Sequence, residues 1–163
     1  MSIFPQFRLS GEDEQRMHAA MESNREGGGK ASMAIYDDLA ERHPENPRIF
    51  SARARCRYHN GDFPGALVDY ERAIALFPEA PAAIYMRGRT KRQLGDLDGA
   101  LADYAQVMEM EGPQADTCNE IAELLEERGD FAGAKVSYEA ALAKDPHWPE
   151  AQKGLRRVMA KLG

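Results

Sequence analysis

A period of 34 residues constrains this chain more than any other feature. Gly27, Gly61, Gly95 and Gly129 recur at that interval, and so do Tyr36, Tyr70, Tyr104 and Tyr138. Pro44, Pro78 and Pro146 share it, with Gly112 in the remaining slot. Two series of small residues complete the register: Ala20, Ala54, Gly88 and Ala122, then Ser32, Ala66, Ala100 and Ala134. A fixed period of this length means one supersecondary unit repeated, each copy burying its apolar face against the next.

The residue types say which unit it is. Each glycine follows a stretch of helical character and suits the left-handed conformation that ends helices. Asp62, Asp96 and Asp130 come next in three copies and can cap the helix that follows. The small residues let two helices approach closely, the tyrosine fills the space beside that contact, and the proline stops the second helix. The pattern is one of paired antiparallel helices, and the fold class is all-α.

In this register the chain resembles the tetratricopeptide-repeat (TPR) family, whose unit is a 34-residue helix-turn-helix. The resemblance implies a right-handed superhelical solenoid of four repeats, at 13–46, 47–80, 81–114 and 115–148. An N-terminal arm (1–12) precedes them and a C-terminal capping helix (149–163) follows. First helices are expected at about 13–26, 47–60, 81–94 and 115–128, and second helices at about 30–42, 63–76, 97–111 and 131–144. The first copy is the most degenerate, because REGGGKAS replaces the Gly-Asp turn and Leu39 replaces an alanine. In the last segment Ala151, Leu155, Val158, Met159 and Leu162 share one helical stripe, as a cap over the fourth copy requires.

Composition narrows the function classes. Charged residues are 29% and hydrophobic ones 43%, in keeping with a soluble folded chain. A net charge of −6 argues against nonspecific nucleic-acid binding, which depends on neutralising phosphates. No stretch is long and apolar enough for a membrane span, and the start MSIFPQFRLSGEDEQ lacks a secretory pattern. With only Cys56 and Cys118 as cysteines, a cytoplasmic location is expected. The arm residues Ile3, Phe4, Phe7 and Leu9 are expected to pack on the first repeat. Insertion into a groove, its own or a neighbour's, is the alternative and would allow a homo-oligomer.

Catalytic and cofactor chemistry finds no motif. GGGKAS lacks the phosphate-loop spacing, since Asn24 stands where the first glycine belongs and Ala31 follows Lys30. His18, His43, His59 and His147 are scattered without ligand spacing, so neither a metal nor another cofactor is expected. Arg53 and Arg87 are each followed sixteen residues later by an aspartate, Asp69 and Asp103. The other two copies carry Ala19 with Ile35 and Ile121 with Ser137 at these positions. Charges that appear and vanish together predict structural ion pairs between the helices of a copy.

The surface is left for function. The resemblance implies a concave groove lined by the first helices. Its positions in the middle copies include Arg48, Ser51, Arg55, Tyr58, His59, Tyr85, Arg89, Arg92 and Gln93. In the fourth they include Asp116, Asn119, Glu123, Glu126 and Glu127, and in the first Glu14, Met17, Met21, Asn24 and Arg25. Residues 115–148 carry three basic and eight acidic side chains, so the groove would be charge-polarised. The expected partner is a protein or peptide segment with acidic and apolar groups over the middle and basic groups toward the end. A heat-shock-chaperone C-terminal tail does not fit. The positions equivalent to that clamp hold Ser51, Arg55, Met86, Asp116 and Glu120, with acids where cations are needed. These readings converge on a non-catalytic adaptor or scaffold. A dedicated chaperone or inhibitory partner of one protein is the alternative; RNA binding and a pocket enzyme are disfavoured.

Overall fold

A computed structural model describes residues 7–25 and 29–163. Ile3, Phe4 and Gly27 lie outside these residues. All regular structure among the described residues is helical: α1 (Gly11–Arg25), α2 (Gly29–Arg42), α3 (Pro47–His59), α4 (Phe63–Leu76), α5 (Pro81–Gln93), α6 (Leu97–Glu111), α7 (Ala115–Glu127), α8 (Phe131–Lys144) and α9 (Pro149–Leu162). They fall into two compact units, Met1–Leu94 and Gly95–Gly163. The boundary is the α5–α6 turn, inside the third copy.

The turns follow from local chemistry. Gly61, Gly95 and Gly129 sit at φ +80°, +84° and +80°, where any side chain would be strained. The aspartate after each one caps the next helix. Asp62 accepts from the Gly65 amide at 3.0 Å, Asp96 from Gly99 at 2.9 Å, and Asp130 from Gly133 at 2.9 Å. A Cβ on Gly65, Gly99 or Gly133 would collide with the capping carboxylate, so aspartate and glycine form one device. Pro47, Pro81 and Pro149 open α3, α5 and α9, where a missing amide donor costs nothing.

In the first unit, α1 packs with α2, α3 with α4, and each pair with the helix that follows. Ala20, Ala54 and Ala66 are fully buried, with Tyr36 and Tyr70 beside them. Ser32 stands where other copies have alanine, and its hydroxyl is satisfied by donating to the Ala20 carbonyl at 2.8 Å. Met17, Leu39, Ile49 and Phe50 complete the core around Tyr36. Each large side chain so buried contributes about 1.5–3 kcal/mol. The described end of the arm lies on this unit: the Phe7 ring meets Phe77 edge-on at 5.9 Å, and Leu9 packs on the core. Asn46 donates to the Phe7 carbonyl at 3.0 Å.

The degenerate first copy has its own fastening between α1 and α2. Asp13 is 4% exposed, accepts hydrogen bonds from Arg42, and lies 2.8 Å from Nε2 of His43. These contacts, His43 foremost and then Arg42, lower its carboxyl to about pKa 2.

In the second unit α7 and α8 surround Ala122, Ala134 and Tyr138, and α9 adds Ala151 and Val158. Gly154 faces Tyr138 so closely that a Cβ would overlap the ring. That contact sets the buried line of α9 through residues 151, 154 and 158. It corrects the expected capping stripe, since Met159 and Leu162 are rotated out and half exposed.

Two outcomes follow. Gly154→Ala forces α9 away from Tyr138 and should lower stability by about 1–3 kcal/mol in urea unfolding. Because the Asp13 carboxyl is depressed in the folded state, its stabilisation is complete above about pH 4. It should be lost as pH falls toward 2. In Asp13→Asn this acid transition, followed by circular dichroism, should shrink.

Candidate partner-binding cleft

The α3 helix has two faces. Ile49, Phe50, Ala54 and Cys56 are buried, while Arg48, Ser51, Ala52 and Arg55 line a cleft of about 520 Å³ in the first unit. Met17 and Met21 of α1 form one wall, and Ala82, Ala83 and Met86 of α5 the other. Tyr70 reaches in from α4, Phe7 and Phe77 close one end, and the Glu79 carboxylate stands on the rim. A second cavity of about 400 Å³ continues past Met21, Ala52 and Arg55 to Asn24, Tyr36 and His59. Arg55 therefore stands where the two spaces meet.

The arginines of α3 differ sharply in what they touch. Arg48 grips Glu14 in a bidentate pair at 2.5 and 3.1 Å, which lowers the Glu14 carboxyl below its ordinary range. Arg53 holds Asp69 through two bonds of 2.7 and 2.8 Å and also meets Asp37 at 2.9 Å. Its guanidinium pKa is raised, chiefly by the Asp69 hydrogen bond. Arg57 reaches the same aspartate at 2.9 Å. Arg55, two residues from each, has no hydrogen bond or ion pair among the described residues. At the far end of α3, Arg89 of α5 lies over the Tyr58 ring at 5.7 Å, and Tyr58 meets His59 and Phe63 edge-on.

In the second unit Asn119 is 7% exposed, donates to Glu123 at 3.0 Å, and its carbonyl oxygen has no partner among the described residues. Glu127 is exposed. Glu126 is taken by Arg157 of α9 and by the Tyr138 hydroxyl at 3.0 Å. The arginine and the tyrosine lower the Glu126 carboxyl, and burial first, then that carboxylate, raises the Tyr138 hydroxyl. Among the described residues no three histidine, cysteine or acidic groups could share a metal ion. No described helix is long and apolar enough to cross a membrane.

The sequence profile described as Tetratricopeptide repeat matches residues 29–81 and 60–116, more than half of the chain. The chain belongs to the tetratricopeptide-repeat family. No curated protein sequence matches it. Among solved structures it is similar to MamA from Desulfovibrio magneticus, at 13% identity and a TM-score of 0.86 over 95% of this chain and 88% of that one. PilW, described as a widely conserved type IV pilus biogenesis factor, superposes with a TM-score of 0.82 at 18% identity, over 94% and 71% of the two chains. A tetratricopeptide repeat protein from Parabacteroides merdae gives 0.81 at 14% identity, over 93% and 62%. At these identities the likeness establishes an all-α helical-repeat fold, one that serves in general as a protein-interaction scaffold.

Of the repeat's groove positions, Arg48, Ser51 and Arg55 line the larger cleft, His59 the continuation, and Tyr58 stacks under Arg89. Tyr85 and Arg92 are half-buried on α5. Asn119 is buried rather than presented, because its amide turns along α7 to Glu123. Arg87 and Asp103 belong to different units, with Asp103 buried and Arg87 half-buried. The periodic pattern points to Tyr70 only as a core residue, yet it also lines the cleft. Arg57, a second partner of Asp69, has Lys91 at the matching position of the next copy, a signal that the periodic reading of Arg53 and Asp69 alone passed over.

Asp69 is buried with both arginines bound to it. Asp69→Ala removes the buried partner of two guanidinium groups, of which Arg53 keeps Asp37 and Arg57 keeps the Gly65 carbonyl, and should cost about 3 kcal/mol in chemical denaturation.

Proposed function

We propose that the chain is a non-catalytic protein-interaction module, an adaptor or scaffold. Its first unit holds a peptide or partner segment that carries acidic and apolar groups. The observation that supports this most is Arg55. Three other arginines of α3 are paired within the chain, whereas Arg55 has no hydrogen bond or ion pair among the described residues. It stands between a cleft lined mainly by methionine, alanine and aromatic side chains and a more polar space that includes Asn24, Arg25 and His59. An uncompensated guanidinium against an apolar wall suits a partner that brings both a carboxylate and apolar side chains. The Arg89–Tyr58 stack adds a basic and aromatic element on the same unit. Glu123 and Glu127, with Asn119 buried behind them, give the second unit an acidic helix suited to basic groups of the partner.

Affinity capture with wild-type protein beside an Arg55→Glu/Arg89→Glu variant tests this reading. Arg55 is exposed and Arg89 half-buried, and neither belongs to a buried core cluster, so folding should be retained in circular dichroism. The principal captured protein should be lost from the variant. Undiminished capture of every partner by the folded variant would remove the cleft from consideration. One stoichiometric partner would mark a dedicated chaperone or inhibitor, several an adaptor, and a second copy of this chain a homo-oligomer.

A further inference from the structure

The four tyrosines that share one repeat position do not share one fate. In the second unit Tyr138 donates to Glu126 at 3.0 Å and Tyr104 to Glu120 at 3.3 Å, so both hydroxyls meet a carboxylate. In the first unit Tyr70 is 2% exposed, and its hydroxyl has no hydrogen-bond partner among the described residues. The reason is visible in the register. Glu120 and Glu126 occupy the sixth and twelfth positions of a repeat, and the corresponding positions around Tyr70 hold Met86 and Tyr58. Neither can supply a carboxylate.

Buried hydroxyls are nearly always matched, and an unmatched one calls for an explanation. Here three features coincide. Tyr70 lines the 520 Å³ cleft, Arg55 lines the same cleft, and Arg55 has no carboxylate among the described residues. Burial raises the Tyr70 hydroxyl strongly, keeping it a neutral donor, while Arg55 and then Arg89 pull the other way. A donor and a cation thus belong to one mainly apolar cleft, and among the described residues neither the Glu79 carboxylate nor the Ser51 hydroxyl of its lining is bonded to either of them.

Resting on the reading of this cleft as the partner site, we infer that the partner supplies the missing acceptor: a side-chain carboxylate that accepts from the Tyr70 hydroxyl and pairs with Arg55. The carboxylate belongs to a residue within the segment rather than to a chain end. The space continues past Arg55 in both directions, toward Phe77 on one side and toward Tyr36 and His59 on the other. A segment can therefore run through. An apolar side chain next to the acid contacts Met17, Met21 and Met86. The rim carboxylate of Glu79 disfavours a second acid at the Phe77 end.

A phage-displayed library of random internal peptides, panned on the full chain, tests the inference. Enriched peptides should carry Asp or Glu beside an apolar residue, and replacing that acid by its amide should weaken each synthetic peptide about tenfold or more. Tyr70→Phe removes only the unmatched hydroxyl, so its melting temperature should be unchanged or higher. The same variant should bind the acid-bearing peptides about tenfold more weakly and leave the amide versions unaffected, and Arg55→Gln should behave alike. Peptides without acids that are nevertheless lost from the Arg55→Glu/Arg89→Glu variant would overturn the carboxylate assignment and leave the cleft as partner site. So would acid-bearing peptides insensitive to Tyr70→Phe. Failure to enrich any peptide on wild type above that double variant would overturn both. A peptide that binds best when the acid is its free C-terminus would overturn the internal placement.

Discussion

The distance at which two helices of a copy can approach governs this fold. Ala20 and Ala54 on first helices, and Ala66, Ala100 and Ala134 on second ones, have no exposed surface. A larger side chain at any of them would hold the helices apart and leave a void beside the buried tyrosine. Close approach makes the tyrosine a necessary filler, and in the second unit it brings the Tyr104 and Tyr138 hydroxyls to α7. Whether such a hydroxyl finds a carboxylate then depends on one or two residues that packing leaves free. The same repeated contact thus gives a satisfied pair around Tyr104 and Tyr138 and an open donor at Tyr70.

Charge is distributed by a related logic. Glu14, Asp37 and Asp69 take up Arg48, Arg53 and Arg57 along α3, and Asp13 takes up Arg42 and His43 where α1 meets α2. Buried or half-buried ions of this kind hold register more than they add stability. Arg157 on Glu126 does for α9 what these pairs do in the first unit. Once such pairs are set aside, Arg55 is the arginine of α3 left in the cleft for a partner, with the Glu79 carboxylate on the rim.

The helices were legible because period, cap and breaker all speak locally. Gly61, Asp62 and Pro78 each act on the nearest few residues, so their spacing translates into helix ends. The contents of the cleft were only partly legible. Arg48, Ser51 and Arg55 follow from the helical face they share, but pairing does not. Glu14 captures Arg48 from 34 residues away, and Arg57 reaches Asp69 because two arginines one turn apart can meet the same carboxylate. The α9 stripe misled for a comparable reason: amphipathic periodicity gives a face, whereas the buried line was set by a single glycine against Tyr138.

Arg53 and Arg57 flank Arg55 in sequence, and both are fastened to Asp69 on the neighbouring α4. The stretch of α3 that carries Arg55 is therefore anchored at two points, one on either side, before anything binds. A surface held this way loses little conformational freedom on association. Its encounter with a partner is closer to rigid docking than to folding on contact. Differences in affinity among related partners would then reside mainly in how long each complex lasts rather than in how fast it forms.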